Sequence, residues 1–129
     1  MKYLLDTCTI SDFVKGQPSV MAKLKATPAK QIGVSSLTRM EVAFGLSRHS
    51  ERERKLAPVL DALFEAIVTV PFEEADALAA AGIRAGLVKP LGAYDLLIAG
   101  TALARGLVLV TSNIAELQRV GGLQLEDWR

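Results

Sequence analysis

One cysteine and one histidine in 129 residues leave no means for an internal disulfide or for a zinc site built from several Cys and His ligands. Aromatic residues are scarce, at 5%, and form no track interleaved with basic side chains on which single-stranded nucleic acid would stack. No apolar run reaches the ~18 residues of a membrane span; the stretch over 96–104 stops at Arg105. The first apolar run breaks at Asp6, too early for a signal peptide, so the expected location is the cytoplasm, with no membrane contact. An excess of one charge is missing too. Fifteen basic residues meet 14 acidic ones for a net +1, whereas proteins that hold polyanions by broad electrostatics carry a basic excess.

Half of the residues are hydrophobic, and a chain this long buries roughly two-thirds of the surface it would expose unfolded. One domain over 1–129 is expected, without repeat, linker or low-complexity tract. Apolar runs at 3–5, 32–34, 67–70 and 107–110 read as strands, and 123–125 as a weaker fifth. Between them lie helix signals. Thr9-x-x-Asp12 has capping spacing, and Ser35 or Ser36 caps a helix reaching about Arg48. Ser50-x-x-Glu53 is a capping box ahead of Leu56, Val59, Leu60, Leu63 and Phe64, with Pro58 kinking that helix or marking its start. Glu73, Glu74 and Asp76 open a helix whose apolar face is Leu78, Ala79, Gly82 and Ile83, and a buried helix runs from Tyr94 to Arg105. Buried strands separated by helices define a three-layer α/β/α fold with a central parallel sheet of four to five strands. Ligands of such sheets bind at the carboxyl ends of the strands, where the strand order reverses.

Acids collect at that edge. Asp6 follows the first strand, Asn113 and Glu116 the fourth, Glu41 lies early on the helix after the second, and Asp95 opens the buried helix. Glu41 stands among Leu37, Met40, Val42, Phe44 and Leu46, and Asp95 directly precedes Leu96-Leu97-Ile98-Ala99. Carboxylates in apolar surroundings must be paired, coordinated or protonated, and no Lys or Arg falls within 91–104. Three or four carboxylates with amide and hydroxyl oxygens suit Mg²⁺ or Mn²⁺ better than zinc. A water acidified by such an ion can attack a phosphodiester, which is metal-dependent nuclease chemistry. Structural readings stand beside the functional ones. Asp6 and Asp95 suit helix starts, Glu116 an exposed face and Asp12 a capping box, while Cys8 reads as a small buried hydrophobe and His49 as surface.

Four blocks then occur in order and across the whole chain: Tyr3-Leu4-Leu5-Asp6-Thr7-Cys8-Thr9, Ser36-Leu37-Thr38-Arg39-Met40-Glu41, Gly92-Ala93-Tyr94-Asp95-Leu96-Leu97, and Val110-Thr111-Ser112-Asn113 followed by Glu126-Asp127-Trp128. Together they resemble a PIN-domain ribonuclease of the VapC or FitB type, the toxin of a toxin-antitoxin pair. The resemblance implies endonucleolytic cleavage of RNA with Mg²⁺ or Mn²⁺, a homodimer, and inhibition by a small antitoxin whose C-terminal segment lies over the groove, with DNA met only through that antitoxin. By position, Asp6 and Asp95 match the principal metal ligands and Glu41 the third acid. Asn113 and Glu116 share the role of a fourth, and Thr7 and Thr111 support the site. Cys8 stands where the family usually has Asn, and Asn113 in place of an acid lowers the charge of the site.

Rival readings are weaker. A haloacid-dehalogenase-like phosphatase needs an acid where Cys8 stands, and a phosphoryl receiver needs one near Val70-Pro71-Phe72. A catalytically inactive PIN-like module binding RNA or protein is the remaining alternative, and intact Asp6, Glu41 and Asp95 argue against it. Arg39, Arg84 and Lys89 flank the motif blocks as candidate RNA contacts, whereas the mixed charges of 48–55 suit a solvated helix start. Setting aside Asp6, Glu41, Asp95 and Glu116 leaves 15 basic against 10 acidic residues, or +5. Near-neutrality thus conceals a cationic remainder whose grip on RNA should weaken with salt.

Overall fold

The computed structural model describes residues 1–48 and 51–129, apart from the side chains of Arg52 and Glu53. Its strands are β1 Tyr3–Leu5, β2 Ile32–Ser35, β3 Val68–Val70, β4 Val108–Val110 and β5 Gln124–Glu126. They form one five-stranded parallel sheet in the order β3-β2-β1-β4-β5. The chain builds outward from β1 through β2 and β3, then crosses to the other side for β4 and β5. Strand order therefore reverses between β1 and β4, where Leu5 pairs with Val110.

Helices cover both faces, giving the expected three layers. Leu4, Val70 and Leu109 meet Ala80 and Ile83 of α6 Glu74–Gly86, Ile98, Ala99 and Ala102 of α7 Ala93–Arg105, and Leu117 of α8 Ile114–Leu117. Leu5, Ile32, Val34 and Val110 meet Ile10 of α1 Thr7–Val14, Val20 of α2 Pro18–Ala26, Leu60 and Phe64 of α5 Ala57–Ala66, and Trp128. Leu4 and Leu5 face opposite layers and both are wholly buried, so β1 reads as an unbroken apolar run instead of an alternation. Each such side chain contributes ~1.5–3 kcal/mol by leaving water. Helices α6 and α7 pack with no room for a side chain at Gly100, where a Cβ would lie 2.8 Å from the Asp76 carbonyl oxygen and 3.0 Å from the Ala80 nitrogen.

Several local expectations change. Of the two caps the sequence offers for α1, Asp6 serves and Thr9 does not; an acid in extended conformation directly after β1 reaches the free amides one turn earlier, and the Thr9 hydroxyl instead donates to the Val110 carbonyl at 2.9 Å. Helix α2 was not foreseen. It buries only Val20, and it starts because Pro18 fits a first turn and Gln17 Oε1 accepts from the Val20 amide. Helix α6 turns Asp76, Ala80 and Ile83 inward and leaves Leu78 66% exposed, because Arg105 draws Asp76 toward α7. Helix α3 Ser36–Arg48 opens with Ser35 Oγ accepting from the Leu37 amide, but it buries only Thr38, so Met40 and Phe44 stay exposed and do not enclose Glu41. Pro58 starts α5 after the short α4 Glu51–Arg54 instead of kinking one longer helix. The expected box of Ser50 with Glu53, and His49, lie outside the described residues.

Candidate active site

The reversal between β1 and β4 sets the first contact. Asp6 emerges from β1 with Oδ1 accepting from the Cys8 amide and Oδ2 accepting from Thr111 Oγ1, each at 2.7 Å, and only 4% of the residue is exposed. Thr111 lies just past β4. Its Oγ1 also accepts from the Asn113 amide at 3.0 Å, so one hydroxyl fixes both the acid and the turn beyond the strand. Asn113 Nδ2 donates to Asp95 Oδ2 at 3.1 Å, a bond that leaves the oxygen of its amide unused. Asp95 sits in the first turn of α7. Glu41 arrives from α3, with its Oε1 accepting from Thr7 Oγ1 at 2.7 Å.

Asp6, Thr7, Glu41, Asp95 and Asn113 line an open cavity of about 480 Å³. Burial pushes the Asp95 carboxyl above the usual range and the negative charge of Asp6 pushes it further; the Asn113 bond only partly offsets them, and Glu116 adds to the rise. Among the described residues three arginines pair with other acids, Arg105 with Asp76 and Glu73, Arg119 with Glu116, and Arg129 with Asp127 and Asp12, and Lys15, which lines the cavity, forms no ion pair. Asp6, Asp95 and Glu41 thus hold like charge in one pocket with no ion pair of their own among those residues.

Of the residues expected at the site, Asp6, Thr7, Glu41, Asp95 and Asn113 line the cavity and Thr111 backs it. Glu116 does not. It pairs with Arg119, which holds its carboxyl below the usual range, and it reaches the site only through its charge. Arg39 is tied down as well, donating to Thr69 Oγ1 at 2.8 Å with its guanidinium 4.4 Å from the centre of the Phe64 ring. Arg84 and Lys89 are exposed and do not line the cavity. Cys8 is not an inert hydrophobe. Its sulfur accepts from the Ser112 amide at 3.3 Å and hydroxyl at 3.1 Å, at the edge of the cavity.

The sequence reading missed Ser11, Lys15 and Tyr94 as lining residues and gave Asp12 to a cap. Helical spacing contained the signal, since Thr7, Ser11 and Lys15 fall at i, i+4 and i+8 of one helical face, and Tyr94 adjoins Asp95. Among the described residues no group of three or more Asp, Glu, Cys or His side chains is placed to hold a metal ion by itself. The donor set fits an ion that keeps much of its water shell and takes one or two carboxylates, the habit of Mg²⁺. Unbalanced carboxylates with amide and hydroxyl oxygens, and no imidazole among the described residues, are hard-oxygen chemistry.

This sheet order, with acids after β1 and at the start of α7, defines a class: residues 3–123 match the family model of the PIN domain, and the chain belongs to that family. Among curated proteins it is similar to the tRNA(fMet)-specific endonuclease VapC of Salmonella typhimurium, 34% identical over 131 residues, and to that of Shigella flexneri, 37% over 132, spanning 99% of this chain and 98% of each relative. The structure of DNA-bound VapBC from Salmonella typhimurium matches it with a TM-score of 0.91 and 33% identity, over 100% of this chain and 99% of that one. Within the PIN-domain family the chain therefore groups with the VapC proteins.

Proposed function

We propose that this protein is the toxin of a type II toxin-antitoxin pair: a Mg²⁺- or Mn²⁺-dependent endoribonuclease of a single domain, acting in the cytoplasm as a homodimer and silenced by a small cognate antitoxin. The observation that carries this reading is the unpaired Asp6 and Asp95 carboxylates at the reversal of strand order. Asp6 and Asp95 would hold the ion, with Glu41 and the Asn113 amide oxygen beside them. When bound, the ion supplies positive charge to the phosphate and acidifies a water. Thr111 orients Asp6, and Thr7 holds one Glu41 oxygen so that the other can take the proton of the attacking water. Glu116 acts from outside, adding negative charge that Asp95 feels.

Structured RNA is the proposed substrate, and tRNA(fMet) is the first to test because two relatives are named for cleaving it. An apolar groove of about 530 Å³, walled by Ile10, Val14, Val42, Leu46, Leu56 and Leu60, shares Thr7, Ser11 and Lys15 with the acidic cavity. A segment of the antitoxin lying there would cover the acids at the same time, and DNA would be reached only through the antitoxin. No helix of the described residues is long and apolar enough to cross a membrane. Purified protein should cleave a tRNA(fMet) transcript with Mg²⁺ or Mn²⁺, stop on adding EDTA, and stop on adding the antitoxin. Cleavage that survives EDTA and both Asp6→Asn and Asp95→Asn would refute the reading.

A further inference from the structure

We propose that Tyr94 and Lys15 form a clamp on the RNA at the acidic cavity, Tyr94 stacking on a nucleobase beside the cleaved bond and Lys15 holding a neighbouring phosphate. The proposal rests on the ribonuclease reading and names how that site grips its substrate.

The chain has seven aromatic residues, and most are spoken for by the fold. Tyr3 and Trp128 pack edge to face with ring centroids 5.2 Å apart, Phe13 and Phe64 belong to the core, and Phe44 lies under the Arg48 guanidinium. Tyr94 is 46% exposed, has no ring or cation partner among the described residues, and lines the cavity one residue from Asp95. A solvent-facing ring there is a stacking platform beside the reacting phosphate, and base stacking on an aromatic tolerates any sequence because every base has a π-face. Lys15 is the one Lys or Arg lining that cavity among the described residues, and it forms no ion pair there with Asp6, Asp12, Glu41 or Asp95. It caps the carboxyl end of α1 and is followed by Gly16 at φ 73°, so the helix stops where its partial negative charge favours an ammonium. A cation that leaves adjacent carboxylates unpaired is available to a phosphate, for which lysine serves as a point charge.

Binding of a tRNA(fMet) transcript in an Asp6→Asn background, which removes cleavage, and steady-state cleavage without that change test the clamp together. Tyr94→Ala should weaken binding roughly 5- to 100-fold and raise KM, while Tyr94→Phe stays within about 3-fold. Lys15→Ala should lower the slope of log affinity against log salt by about one. Abasic sites placed singly around the cleaved bond give the sharper readout. One of them should weaken wild-type binding as much as Tyr94→Ala does and weaken the Tyr94→Ala protein no further, a non-additivity that a merely structural tyrosine would not produce. Both side chains are exposed, and unchanged thermal melts confirm that the variants fold. Additive losses at every abasic position, or an unchanged salt slope for Lys15→Ala, overturn the clamp while wild-type cleavage keeps the ribonuclease reading. Wild-type protein that neither binds nor cleaves RNA overturns both.

Discussion

The two ends of α7 handle buried charge in opposite ways. At its last turn Arg105 reaches Asp76, 3.1 Å from Oδ2, while the Glu73 amide donates to the same carboxylate at 2.8 Å. Burial alone would raise the Asp76 carboxyl, but Arg105 and the Glu73 amide outweigh it and bring it below the usual range. At the first turn Asp95 sits near Asp6 with no ion pair among the described residues, and its carboxyl is raised. An acid whose charge is balanced within the chain holds α6 to α7. An acid whose charge is left unbalanced contributes nothing to folding and has its use when a cation arrives from outside.

Exchanging the roles of the two ends gives the largest effect. Asp95→Asn should abolish RNA cleavage, by about 10³-fold or more against the ~10–100-fold expected for an outer-shell partner, with an unfolding midpoint in urea no lower than wild type. Asp76→Ala should do the reverse, lowering stability by about 2–3 kcal/mol while the folded fraction keeps its kcat. About 1 kcal/mol of that is the lost cap of α6. The remainder is a stranded Arg105, discounted from the ~3–5 kcal/mol of a fully buried pair because 31% of its side chain meets solvent. Loss of stability in Asp95→Asn equal to that in Asp76→Ala would erase the distinction.

Much of this contrast was legible before any coordinates. Asp6 and Asp95 stood out because each adjoins an apolar run that had to be buried, and the strands showed because a parallel sheet covered on both faces needs continuous hydrophobic segments. Glu41 was placed at the site for an incomplete reason, since its apolar neighbours in the sequence are partly exposed and Thr7 is what holds it. Asp76 read only as an acid near a helix start; its pairing with Arg105, 29 residues away, is a tertiary event that local spacing does not encode. Helix α2 escaped because it presents almost no apolar stripe, Tyr94 because exposure leaves no periodic trace, and Lys15 because a polar helical face looks the same in sequence whether it meets solvent or a site.

Thr111→Val tests whether the active end depends on orientation as well as charge. The valine keeps the volume but removes the hydroxyl that holds both Asp6 Oδ2 and the Asn113 amide. Metal affinity and activity should each fall ~10–100-fold, read by titrating Mn²⁺ against cleavage rate.

Acidity separates the ends more gently. Asp95 has a native pKa above its unfolded value of ~3.9, so the native state binds its proton first; metal-free protein should gain stability as pH falls through the raised native pKa, the gain being complete below ~3.9. Asp76 has a native pKa below ~3.9, so its contribution is present above that value and is lost as pH falls through the lowered one. Urea midpoints in EDTA across about pH 3–7 should show the upper gain vanish in Asp95→Asn and the lower loss persist. At neutral pH Mg²⁺ should raise the midpoint of wild type but not of Asp95→Asn, because only a state that binds the ion is stabilised by it.

The smallest expected effect belongs to Cys8, and it divides the active end into what bonds Asp6 directly and what supports those bonds from behind. The backbone amide of Cys8, not its sulfur, donates to Asp6 Oδ1, so any side chain except proline preserves that bond. The sulfur accepts from the Ser112 amide and hydroxyl, next to the turn that presents Asn113, and makes a longer contact of 3.5 Å with Thr111 Oγ1. Cys8→Ala should therefore lower kcat only about 3-fold, well short of Thr111→Val, and Cys8→Asn, which restores an acceptor, should recover most of the loss. A Cys8→Ala defect as deep as that of Thr111→Val, with the same weakening in the Mn²⁺ titration, would mean that the turn at Ser112 orients Asp6 as strongly as the Thr111 hydroxyl does. The unbalanced charge would then be held by the whole β4 turn instead of by one hydrogen bond.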